Sequence, residues 1–211
     1  MNIYLHKDKK NISIHSSQGF SLVEVLVALA IFSFSILGIV DVIYSGGVSI
    51  AGAKNRLIAN YLAQEGIEIV RAKRDSYVLA NPTNYVAGWN AFVNNVNQGC
   101  GGGASCDIDV GNLVNLGPSS GNQFISCGTS IISSSQCGFW YSQDGFYLHN
   151  LTTTTGTKTP FIRGLIITPH MSSDGTSVTE LEVTSTVYWK EGSVYQSISM
   201  NESLFNWYAT Q

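Results

Sequence analysis

Gln18-Gly19-Phe20-Ser21-Leu22-Val23-Glu24-Val25-Leu26-Val27-Ala28-Leu29-Ala30-Ile31, continuing as Phe32-Ser33-Phe34-Ser35-Ile36-Leu37-Gly38-Ile39-Val40, decides how this 211-residue chain is built. The run is almost purely apolar for about 20 residues, the length a helix rising about 1.5 Å per residue needs to cross a bilayer. One carboxylate, Glu24, interrupts it near its start. A charged side chain at membrane depth costs about 3 kcal/mol or more, so a residue of this kind is expected to be functional or paired. Snorkelling to the headgroups or protonation are the plain alternatives.

The flanks orient the segment. Lys7, Lys9 and Lys10, against Asp8, precede the apolar run; the next basic residues, Lys54 and Arg56, come only after a further polar stretch. The positive-inside tendency places the N-terminal side in the cytoplasm and the remainder outside it. The apolar run is too long for a conventional secretory signal, and no small-residue cleavage site follows it.

Gly19, Phe20, Ser21, Leu22, Val23, Glu24, Val25 and Leu26 resemble the N-terminal motif of the type IV pilins and pseudopilins. The resemblance implies that a membrane aspartyl protease, the prepilin peptidase, cuts between Gly19 and Phe20, and that the new terminal Phe20 is N-methylated. Glu24 becomes the fifth residue of the mature chain and is implied to pair with the terminal amine of a neighbouring subunit. A buried charge stripped of its partner is strongly destabilising, so such a pair selects one stagger between rods. The implied partners are the peptidase, other pilin or pseudopilin subunits, the inner-membrane assembly platform and membrane lipid. The implied location is the cytoplasmic (inner) membrane, single-pass, with the C-terminal domain outside, and a pilus or pseudopilus after assembly. Many major pilins carry a helix-breaking proline in this first segment; here Gly38 and Asp41 occupy that neighbourhood. Ala63-Gln64-Glu65-Gly66-Ile67-Glu68-Ile69-Val70-Arg71 is similar to the helix of minor pilins and of type II secretion pseudopilins.

The composition is compatible with an anchor plus one domain. Only 12% of residues are charged and the net charge is -3, so no broad basic surface is present and no nucleic-acid partner is indicated. Four cysteines occur, Cys100, Cys106, Cys127 and Cys137. Outside the cytoplasm an even count argues for disulfides, and four cysteines allow three connectivities. Cys100 with Cys106 and Cys127 with Cys137 close the shortest loops and are preferred. The spacing lacks the CxxC pairs of a zinc site.

Outward from the apolar run, Gly19 to about Ser76 reads as one helix with a soft point at Gly46-Gly47. Beyond it Ile58, Leu62, Gly66, Ile69 and Val70 fall on one side, while Asn55, Arg56, Asn60, Gln64, Glu68 and Arg71 lie mostly elsewhere. Glu68 with Arg71, and Arg71 with Asp75, are spaced to interact along a solvated face. Pro82 ends the helix by about Ala80. Trp89, Phe92, Val93 and Val96 are spaced for a short helix with one apolar side.

Phe124–Cys127 and Cys137–Tyr141 read as short strands. Ser142-Gln143-Asp144-Gly145 suits a hairpin turn. Asp107-Ile108-Asp109 is a weak calcium pattern and reads better as solvated loop carboxylates. His149 and His170 read as isolated surface or turn residues, and Trp140 and Tyr141 as core. Asn150-Leu151-Thr152 and Asn201-Glu202-Ser203 are sequons of little meaning in a prokaryotic pilin-like chain.

At the C-terminal end, Phe161–Thr168, ending at Pro169, is followed by two alternating runs. Leu181, Val183, Ser185 and Val187 share one face of the second, and Glu180, Glu182, Thr184 and Thr186 the other. Ser193–Met200 alternates likewise, across the turn Lys190-Glu191-Gly192-Ser193, and Leu204–Tyr208 is expected to pack its aromatics on the domain. An antiparallel meander with one buried face needs a cover, and the amphipathic half of the long helix supplies it.

The expected fold is therefore α+β. Residues 1–19 form a leader, 20–43 a transmembrane and assembly helix, and 44–80 an amphipathic helix. Residues 81–160 form a variable, loop-rich region with disulfides, and 161–211 an antiparallel sheet. The expected function is structural: a minor pilin or pseudopilin of a type IV pilus or type II secretion-like filament. The alternative is a membrane-anchored extracellular binding module or adhesin that never polymerises. No phosphate loop, nucleophile elbow or metal cluster is legible, so neither catalysis nor a cofactor is expected.

Overall fold

A computed structural model of the chain describes residues 19–108, 117–118, 123–128, 130–149 and 156–207. The chain divides into two units, residues 1–49 and 50–211. Helix α1 spans Leu22–Leu79 and α2 spans Tyr85–Cys100. The strands are β1 Cys106–Ile108, β2 Phe124–Ser126, β3 Gly138–Ser142, β4 Tyr147–His149, β5 Gly156–Met171, β6 Val178–Glu191 and β7 Val194–Phe205. Short 3-10 turns occupy Gly101–Gly103 and Ile131–Ser133.

α1 runs unbroken through Gly46-Gly47, where the sequence predicts a break or soft point. Two glycines cost roughly 2 kcal/mol against alanines, and a helix already nucleated and extended on both sides absorbs that without breaking. The helix ends three residues before Pro82, where Asn81 Nδ2 donates to the Tyr77 carbonyl at 3.0 Å. Asn84 then caps α2, its side-chain oxygen accepting from the Ala87 amide at 3.0 Å.

The seven strands form one antiparallel sheet. The long β5 is its spine. β6 pairs along one edge of β5, and β7 pairs with β6. The other edge of β5 takes β3 around Gly156–Ile162 and β1 at Leu165, with β4 beyond β3 and β2 beyond β1. The sheet thus reaches back to Cys106, well inside the region expected to be mostly loop. β5 also runs through Pro169 to Met171 instead of ending before it. His170 and Met171 fall where the β5–β6 register shifts, the irregular kind of place where a strand accommodates proline.

Leu181, Val183, Ser185 and Val187 are each 0% exposed, so the expected inward face of β6 is the buried one. α1 covers that face with Ala59, Leu62, Ala63, Gly66, Ile67, Ile69 and Val70. Gly66 is the point of closest approach. A Cβ there would stand 2.9 Å from Ser185 Oγ, 3.0 Å from Arg163 Cδ and 3.1 Å from Leu165 Cδ2. Gly88 does the same for the helix pair, since a Cβ on it would meet the Tyr77 carbonyl oxygen at 2.7 Å. Trp89, Phe92, Val93 and Val96 of α2 join Val70, Ile108, Leu165 and Leu181 in one core cluster. Ala59, Ala63, Phe139, Phe161, Val187 and Trp189 form a second.

Several surface expectations are corrected. Tyr141 is exposed and Trp140 half-buried; Phe139, between them and Gly138, is the core residue of β3. Phe205 and Trp207 are exposed and meet each other edge to face at 5.5 Å, while Leu204 supplies the buried contact. Arg71 bonds Glu68 and Glu202 and not Asp75, which pairs with its neighbour Arg74 at 2.8 Å. Asp109, the Asn150 sequon and Tyr208 lie outside the described residues.

Candidate functional site

The N-terminal unit presents the apolar run as a bare helical surface. Every described residue from Gly19 to Tyr44 is exposed. Phe20 is 82% and Leu22 75% accessible, values a soluble domain does not tolerate over such a length. This stretch of α1 is long and apolar enough to cross a membrane. Its serines fit that environment. Ser33 donates to the Leu29 carbonyl at 2.7 Å and Ser35 to the Ile31 carbonyl at 2.9 Å, so neither hydroxyl is left without a partner in lipid. Glu24 stands in the first turn of the helix, where the unpaired amides and the dipole favour a negative group. Gly19 and Phe20 lie just ahead of it in non-helical backbone. The structure therefore places all three sequence-predicted residues at one helix tip, with Phe20 and Glu24 about one turn apart.

The head has a second arrangement that sequence reading missed. Arg163, on β5, is fully buried. Its Nε donates to Asp107 Oδ1 at 2.8 Å and its Nη2 to the Ile108 carbonyl at 3.3 Å, both on β1. Its Nη1 donates to the Leu62 carbonyl at 3.0 Å and to Glu65 Oε2 at 3.1 Å, both on α1. The guanidinium also lies 5.0 Å from the centre of the Phe139 ring. One side chain thus ties helix, spine and β1 together.

Asp107 is not the solvated loop carboxylate that the sequence suggested; it is 0% exposed. Nor is His149 a surface residue. It is buried, stacked on Phe139 at 4.3 Å, with Nδ1 3.3 Å from the Gly138 carbonyl. Its Nε2 stands 2.8 Å from Asp107 Oδ2, without the alignment of a hydrogen bond. Asp107 Oδ1 also accepts from the Ile108 amide at 2.8 Å, so that oxygen is bound within the core. Among the described residues no group of three or more His, Cys, Asp or Glu is placed to hold a metal. His170 is at the surface, 3.3 Å from Glu182. A signal for the Arg163 cluster was present: Phe161, Arg163, Leu165 and Ile167 share the parity of the inward face.

The disulfides are Cys100–Cys106 and Cys127–Cys137, with Cα–Cα distances of 5.3 and 5.5 Å. The first joins the end of α2 to β1; the second joins the residue after β2 to the residue before β3. All four cysteines are buried.

Lys73 is a further buried charge, on α1. Its Nζ donates to Gln123 Oε1 at 3.2 Å and lies 5.6 and 5.5 Å from the Tyr77 and Phe124 ring centres. Burial lowers its pKa to about 8. Between pH 8 and the ordinary value of 10.5 the unfolded chain then binds more protons than the folded one, so stability rises with pH across that window. The gain is at most about 3 kcal/mol, at 1.36 kcal/mol per pKa unit. Urea unfolding from pH 7.5 to 10 is expected to show the rise, and Lys73→Met to flatten it. Tyrosine ionisation opposes the trend above pH 10, because burial raises Tyr77 and Tyr147.

No curated protein and no solved structure matches the chain. Residues 14–40 match the family model of the prokaryotic N-terminal methylation motif. The bare apolar helix, the carboxylate in its first turn and the glycine ahead of it thus belong to a prepilin-type N-terminus, consistent with a type IV pilin-like precursor.

Proposed function

We propose that this chain is a structural subunit, a minor pilin or pseudopilin, of a type IV pilus or type II secretion-like filament. It is inserted as a prepilin with the head outside the cytoplasm. Prepilin peptidase cuts between Gly19 and Phe20, and Phe20 is then N-methylated. The observation that carries the reading is the matched motif on a helix whose apolar surface is left exposed by the described residues. Lipid covers such a surface first, and other rods of the same kind cover it in a fibre. Glu24 selects the stagger: its charge is tolerable in an apolar bundle only beside a cation, and the terminal amine of a neighbouring Phe20 is one.

Coexpression with an active prepilin peptidase is expected to yield a mature chain whose first residue is N-methyl-phenylalanine 20. Gly19→Glu is expected to leave the precursor uncut. Glu24→Ala is expected to leave cutting intact and to remove the chain from sheared filaments. A mature chain that retains residues 1–19 beside the active peptidase overturns the reading. Correct cutting with recovery only in membranes favours a non-polymerising anchored module instead.

A further inference from the structure

Among the described residues, β7 is the longest unprotected edge of the sheet. Among the described residues it pairs only with β6, so its far side carries a row of backbone donors and acceptors without strand partners. The usual protections are missing. Val194–Phe205 holds no proline, no lysine and no arginine, and its register with β6 has no bulge. Its one charge, Glu202, is bonded to Arg71. The core also runs out at this edge. Ile198 and Met200 point to the helix-covered side yet stay only half-buried, where a further strand would finish covering them.

Among the described residues the chain offers one edge of matching length, β7 itself. At the opposite side of the sheet β2 and β4 are three residues each, too short to serve a twelve-residue strand head to tail. We propose that β7 pairs with β7 of a second copy, antiparallel, about a two-fold axis normal to the sheet and centred on Ser199. That rotation puts both helix-covered faces on the same side, so directly opposed residues share a face. Centred on Ser199, Ile198 faces Met200, Gln196 faces Glu202 and Val194 faces Leu204: apolar meets apolar and amide meets acid. Shifting the centre to Met200 sets Ile198 against Glu202; shifting it to Ile198 sets Val194 against Glu202. The axis reverses everything lying along the sheet, including residues 50–79 of α1. The contact therefore joins heads that point in opposite directions, such as those of two facing surfaces or two filaments, and not neighbours within one.

Disulfide trapping on the full chain in detergent tests this, with two differently tagged preparations mixed before oxidation. Opposed strand residues stand about 4.5 to 5.5 Å apart between Cα atoms, within disulfide reach. Ser199→Cys is expected to give a dimer carrying both tags, and so is the double variant Ser197→Cys with Asn201→Cys. Ser197→Cys alone is expected to trap at least about ten-fold more slowly, because its two copies lie about 13 Å apart along the strands. These side chains face solvent, so the monomer is expected to keep its urea midpoint. Added to the double variant Ser197→Cys with Asn201→Cys, Ser199→Lys sets two like charges on the axis and is expected to abolish its mixed-tag species. Equal trapping of Ser199→Cys and Ser197→Cys, as random collision or helix-driven clustering would give, overturns the proposal; so does an absence of trapping at Ser199. Neither result bears on cutting at Gly19.

Discussion

Arg163→Met is expected to cost about 3–5 kcal/mol of the head's stability, the loss seen when one partner of a buried ion pair is removed. Three consequences follow from one deletion. Asp107, fully buried, loses the guanidinium donor that its Oδ1 meets at 2.8 Å. The Leu62 and Ile108 carbonyls lose donors at 3.0 and 3.3 Å. The link between α1 and the sheet then rests on apolar packing and on the partly exposed Arg71–Glu202 pair at the β7 edge. Methionine keeps most of the volume over Phe139, so the loss is electrostatic and not a cavity. The control is the double variant Arg163→Met with Asp107→Asn. It replaces the unpaired carboxyl by an amide, and it is expected to recover a share of the loss, because much of the cost of breaking a buried pair is the partner left uncompensated. Urea unfolding of the full chain in detergent checks both. A single variant within about 0.5 kcal/mol of the parent, the range of ordinary surface changes, shows that the cluster is peripheral. Arg163→Lys is expected to fall between, since a point charge cannot reach acceptors on two sides as the planar fork does.

That cluster also marks where sequence reading stopped. Long periodic elements were legible because their signal is local. The alternation from Leu181 to Val187 and the 3.6-residue spacing from Leu62 to Val70 each name a buried face without knowledge of the partner. The apolar run was legible for the same reason. Asp107, His149 and Lys73 were not, and Arg163 only through the inward parity it shares with Phe161 and Leu165, because nothing in a sequence window shows that a charge has a tertiary partner. Asp107 sits beside Asp109 in a polar, glycine-rich stretch, so the default of a wet loop was reasonable and failed. Its true neighbours are 42 and 56 positions away, at His149 and Arg163. The three-residue strands β1 and β4 were missed or read as turn flanks, since three residues hold barely one period of alternation. Phe205 and Trp207 failed in the other direction: aromatic identity suggested burial, but the odd-numbered side of β7 faces outward.

The two disulfides carry the other large expected effect. In the chain-entropy account, closing the loop Cys100–Cys106 stabilises by about 2.4 kcal/mol and Cys127–Cys137 by about 2.8 kcal/mol. They close separate loops, so replacing all four cysteines with serine is expected to cost about 5 kcal/mol, a large share of the 5–15 kcal/mol that holds a typical domain folded. The local reason is that β1, β2 and β4 are too short to hold their places by pairing. β1 meets β5 at a single register position, Cys106 opposite Leu165. Freed from α2, it would be held to β5 by that position and the Arg163–Asp107 bond, beside its own pairing with β2, so the first bridge and the ionic cluster are expected to be coupled. The loss for Cys100→Ser with Cys106→Ser and Arg163→Met together should then differ from the sum of the separate losses by more than the roughly 0.5 kcal/mol expected of independent sites. The second bridge, on the far side of β2, should add to Arg163→Met more nearly independently. Because all four cysteines are buried, a reductant is expected to act at the rate of unfolding in native buffer and quickly in urea. Fast reduction without urea would show that the bridges lie outside the cooperative unit. A head built in this way folds fully only where thiols are oxidised. Under the topology proposed above, that stability is gained after translocation.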